Sequence, residues 1–122
     1  MAKLTWNAFV AKHPNPYGIL VIDVPSKFPP AYAFDRAGKK LPTPYALFQQ
    51  WAAATFVGDW SSQSGGGGFY LGVETLADVH TAQAKFGGKG GWITSKFSKN
   101  VLQITYDWNA YKAVAAQFGY TL

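Results

Sequence analysis

The stretch YLGVETLADVHTAQAKFG, residues 70–87, decides the fold class. Tyr70, Leu71 and Val73 suit a strand, and Thr75 is then a good helix N-cap. Asp78 stands where a carboxylate can return a bond to the cap backbone, approximating a capping box. Val79, Ala82 and Phe86 recur at helical spacing, and Gly87 falls where a left-handed glycine closes a helix. The order is strand, cap, helix, Phe-Gly. It returns in LQITYDWNAYKAVAAQFG, residues 102–119, offset by 32 positions, with Asp107 as the cap and Gly119 as the terminator. Tyr111, Val114, Ala115 and Phe118 form the second stripe. Few identities are shared, so the likeness is one of architecture.

Between these units, WITSKFSKNVLQITY (92–106) alternates apolar and polar residues around Ser98, Lys99 and Asn100, which predicts a hairpin. Upstream, GILVIDVP (18–25) reads as a buried strand closed by Pro25. AYAFD (31–35) reads as another strand, and RAGKKLP as an exposed basic turn. Thr43 and Pro44 open a helix whose buried stripe is Leu47, Phe48, Trp51, Ala52 and Phe56, with Gly58 as its end. Residues 3–11 are ambiguous. Alternation of Leu4, Trp6, Ala8 and Val10 favours a strand, although Trp6, Phe9 and Val10 also fit a helical turn. HPNPYG and PSKFPP are proline-rich connections, and SSQSGGGG reads as a flexible one.

These elements predict a single α+β domain over residues 1–122: a two-layer sandwich with a largely antiparallel or mixed sheet. About three helices are expected on one sheet face, with a ferredoxin-like arrangement as the specific expectation. Hydrophobic residues make up 48% of the chain, which excludes a disordered tail. No apolar run approaches a membrane span and no leader pattern opens the chain, so a cytoplasmic protein is expected. No cysteine is present, which removes disulfides, thiolate nucleophiles and cysteine-based metal sites.

Several chemistries fit poorly. A phosphate loop needs its glycines between a strand and a helix; FGGKGGW follows a helix and precedes a strand, and Lys89 is followed by glycine. The histidines, His13 and His80, lack a second ligand at zinc spacing, so neither metal nor cofactor is expected. Asp23 lies within an apolar strand, where a structural hydrogen-bonding role is favoured. A small hydrolase or nuclease built on His80 and Glu74 is the third reading.

Two binding readings come first. Aromatic residues reach 17%, more than a small core readily hides. From Leu41 to Val73 the only charged residue is Asp59, where a surface helix would ordinarily carry several charges. The leading expectation is a non-enzymatic interaction module, inhibitor-like in kind. It would contact another protein or a homodimer mate through Gln49, Gln50, Trp60 and Tyr70, with Trp60 exposed in a loop. The alternative follows from the net charge of +5. KFGGKGGWITSKFSKN (85–100) would bind single-stranded RNA or DNA through Lys85, Lys89, Trp92, Lys96 and Lys99, cations tracking phosphates and Trp92 stacking on a base. Its structural reading is a basic connection: Lys85 ends a helix favourably, and lysines protect an edge hairpin.

Overall fold

The structure, a computed structural model, describes residues 3–23, 34–65, 68–87 and 100–122. The described chain runs α1 (Trp6–Lys12), β1 (Tyr17–Asp23), α2 (Pro44–Thr55), β2 (Trp60–Gly65), β3 (Gly68–Val73), α3 (Leu76–Phe86), β4 (Asn100–Tyr106) and α4 (Trp108–Gln117). The four strands form one mixed sheet in the order β2-β3-β1-β4. β1 pairs antiparallel with β3 and parallel with β4, and β2 pairs antiparallel with β3. A ferredoxin-like sheet is antiparallel throughout, and the parallel β1–β4 pair departs from it.

The expected caps form. Thr43 Oγ1 accepts from Ala46 N at 3.1 Å, Thr75 Oγ1 from Asp78 N at 3.3 Å, and Asp107 Oδ1 from Ala110 N at 2.9 Å. Gly87 and Gly119 take φ of 78° and 87°, the region in which a Cβ is disfavoured. α2, however, ends at Phe56 and not at Gly58. Asp78 also departs from the capping-box expectation. Its two carboxylate oxygens accept from Val57 N and Gly58 N, each at 3.0 Å, tying the start of α3 to the loop after α2.

Strand alternation separates two faces. Ile19 lies opposite Leu71 and beside Leu102, and Val21 lies opposite Phe69 and beside Ile104. These residues share one core with Leu47, Phe48 and Trp51 of α2, Val79 and Ala82 of α3, and Tyr111, Val114 and Ala115 of α4. Phe48 is its hub, with ring centroids 5.0 Å from Phe86, 5.2 Å from Phe69 and 5.3 Å from Tyr106. The Phe86 pair is stacked and the other two are edge-to-face; aromatic pairs of either kind add about 0.5–1.5 kcal/mol beyond the area they bury.

The expectation of three helices on one face is corrected by α1. Residues 6–12 are helical, capped by Thr5, whose Oγ1 accepts from Ala8 N at 3.3 Å. Only Phe9 is fully buried in that helix. It packs on Gly72, whose neighbours Leu71 and Val73 face the main core, so α1 covers the opposite face. There Gly18 and Gly72 are register partners. The Tyr70 ring lies over Gly18 and Phe9 over Gly72, the close approach that strand glycines permit.

SSQSG is also corrected, from flexible connection to edge strand: residues 61–65 continue β2 from Trp60 and pair with β3. Asp35, 7% exposed, accepts from Ala37 N, Lys39 N and Thr121 N at 3.0, 2.7 and 2.9 Å, which moors the end of the chain. Its carboxyl is held below the ordinary value, chiefly by the Thr121 amide. Of the strand expected at 31–35, residues 31–33 lie outside the described residues, and Phe34 forms an isolated bridge with Lys40. The first arm and turn of the expected hairpin, 92–99, also lie outside them. No helix among the described residues is long and apolar enough to cross a membrane.

Candidate functional site

The four residues of the expected protein contact separate. Trp60 is 1% exposed, which corrects its expected exposure. It opens β2 opposite Val73, on the core side, with its ring centroid 6.0 Å from that of Phe56 and Lys3 Nζ 5.7 Å from its ring. Tyr70 is 6% exposed and faces the other side, 5.7 Å from Trp6 in an edge-on contact. Large aromatics here close the two faces of the sheet, one on each side, and do not share a surface. Gln49 is half-buried; its Oε1 accepts from Lys3 Nζ and from Ser62 Oγ, the latter at 3.1 Å. Gln50 is exposed.

What remains of the charge-poor region is the outer side of α2. Ala46, Gln50, Ala53 and Ala54 recur at helical spacing on that side, all exposed, and Val57 extends the strip at 66% exposure. Beside it, a cleft of about 370 Å³ is lined by Lys3, Leu4, Thr5, Trp6, Ser61 and Ser62. Its hydroxyls are already engaged: Ser61 Oγ donates to Leu4 O at 2.7 Å, and Ser62 Oγ lies 2.8 Å from Tyr45 OH. Among the described residues, Lys3 is the only charged one in its lining.

Of the basic set, Lys85 is exposed in the last turn of α3, where an ammonium complements the helix C-terminus. Lys89, Trp92, Lys96 and Lys99 lie outside the described residues.

A charged cluster forms where neighbours in sequence give no hint of it. The β2–β3 ladder pairs Trp60 with Val73, so Asp59 and Glu74 follow as the next pair. Glu74 N donates to Asp59 O at 3.0 Å, and Asp59 N donates to Glu74 Oε1 at 2.9 Å. Phe9, seated on Gly72, brings the end of α1 over this pair. His13, one turn on from Phe9, is the C-cap, and its ring centroid lies 5.1 Å from the Phe9 ring. Asp59 Oδ2 accepts from Lys12 Nζ at 2.7 Å and lies 3.0 Å from His13 Nε2. The Lys12 bond first, and the His13 bond second, hold the Asp59 carboxyl down at about 2. The same Asp59 bond raises Lys12.

The cluster takes Glu74 from the residues considered for catalysis, joined to His13; His80 lies exposed on α3 and is not part of it. Asp23 ends β1. The meeting of Lys12 and His13 with Asp59 is not legible in the sequence because 46 or 47 positions separate Asp59 from its two partners, and no local spacing signals it. No family model, curated protein or solved structure matches the chain.

Proposed function

We propose that this chain is a non-enzymatic protein-interaction module whose contact surface is the uncharged outer side of α2, and that its partner there is a second copy. One observation carries the proposal: α2 runs for 12 residues without a charged side chain, although much of it meets solvent. A chain of net charge +5 repels its own copy, and surfaces rich in lysine add to that repulsion. The strip formed by Ala46, Gln50, Ala53, Ala54 and Val57 brings no charge to a two-fold contact. Its small residues suit close helix approach, with axes about 8–10 Å apart. Gln50 lies along the strip and offers both a donor and an acceptor, while Gln49 borders it. Trp60 and Tyr70 drop out of the contact because they are buried. A cytoplasmic setting is part of the same proposal.

Charge placed at Gln50 tests this reading. Gln50→Glu sets like charges on the facing surfaces and should weaken the association. The alternative, single-stranded nucleic acid held by Lys85, Lys89, Trp92, Lys96 and Lys99, responds to salt instead. Binding through phosphates falls by roughly 0.7 log units per contact for each tenfold rise in salt. A neutral helix contact between two like-charged chains is not weakened by salt, which screens their repulsion. Anisotropy of a labelled single strand at low and moderate salt separates the two readings.

A further inference from the structure

We infer that His13, Asp59 and Glu74 form a binding site for one divalent transition-metal ion of the zinc class, with Lys12 as the counter-charge that the ion displaces. A nitrogen of His13 and one carboxylate oxygen each from Asp59 and Glu74 lie within 4.8 Å of one another. They arrive from three separate places: the end of α1, the link into β2 and the link out of β3. His13 Nε2 and Asp59 Oδ2 are already 3.0 Å apart, near the spacing of two donors on one ion. Bonds of about 2.0–2.2 Å in tetrahedral array place donors roughly 3.3 Å apart. Glu74 is exposed and supplies the remaining movement.

The donor set selects the metal. One imidazole and two carboxylates suit zinc, cobalt or manganese better than calcium, which favours six to eight oxygens. Three protein ligands leave a position for water, the pattern of an open site rather than a closed structural one. The supports are in place. Phe9 packs against the imidazole, and the Asp59 amide holds one oxygen of Glu74, leaving the other to coordinate. Asp78 ties down Val57 and Gly58, the residues that lead into Asp59. Lys12 neutralises Asp59 from a side chain that is 63% exposed, so its ammonium can move into water when the ion enters.

Calorimetric titration of the full chain with zinc chloride, paired with the visible absorption of added cobalt(II), tests the site. One ion per chain is expected, with affinity reduced at least about tenfold in His13→Gln and in Glu74→Gln. Lys12→Met should bind more tightly, a gain that damage to the fold cannot produce. His80→Gln should leave affinity unchanged. The inference is overturned if the wild-type chain binds neither metal, or if binding survives in His13→Gln with circular dichroism unaltered.

Discussion

Phe9 occupies the space in which a side chain on Gly72 would stand: a Cβ built there meets Phe9 Cε1 at 2.5 Å. This single approach seats α1 on the sheet and carries His13 to Asp59. Phe9 is fully buried. Gly72→Ala should therefore destabilise the chain by about 1–3 kcal/mol, the ordinary cost of overpacking. Phe9→Ala should cost about 3–5 kcal/mol. Because both changes act on one contact, the double variant should cost less than their sum, read from urea unfolding midpoints.

Asp59 predicts an acid dependence of stability. Its carboxyl titrates at about 2 in the folded chain against an ordinary 3.8. A folded value below the unfolded one means that the stabilisation is complete above the unfolded value and is lost as pH falls through the folded one. Urea midpoints of wild type and Asp59→Asn should differ at neutral pH and converge as pH approaches 2. A gap that persists unchanged in acid would assign the effect of Asp59 to packing instead of charge.

Asp78 makes a prediction of a different kind. At 2% exposure it accepts two backbone amides, one of them on buried Gly58. Asp78→Ala strands both donors and should cost at least about 1–3 kcal/mol. Asp78→Asn keeps an acceptor and should fall between. Hydrogen exchange at Val57 and Gly58 should quicken in the alanine variant before the rest of the chain is affected.

Much of the main core was legible in the sequence because its signals are local. Thr43, Thr75 and Asp107 announce three helices, and the run Ile19 to Val21 announces a strand. α1 was hidden by an alternation of Leu4, Trp6, Ala8 and Val10 that imitates a strand, while burial rests on Phe9 alone. β2 was hidden by its serines and glutamine, which suit an edge strand whose anchor is Trp60. Trp60 and Tyr70 were misjudged because an aromatic residue two positions from a glycine signals exposure in a loop and close packing on a sheet equally well. The charged cluster was beyond reach. Asp59 and Glu74 meet through a strand ladder, and His13 joins them through a helix whose place depends on the absence of a side chain at Gly72.

The contact proposed for α2 is tested most directly by sedimentation velocity over a concentration series, at low and high salt, on wild type and Gln50→Glu. A wild type whose self-association holds or strengthens as salt rises, beside a monomeric Gln50→Glu of unchanged stability, is the predicted result. A wild type that stays monomeric at every concentration, or an association that Gln50→Glu leaves intact, would contradict it.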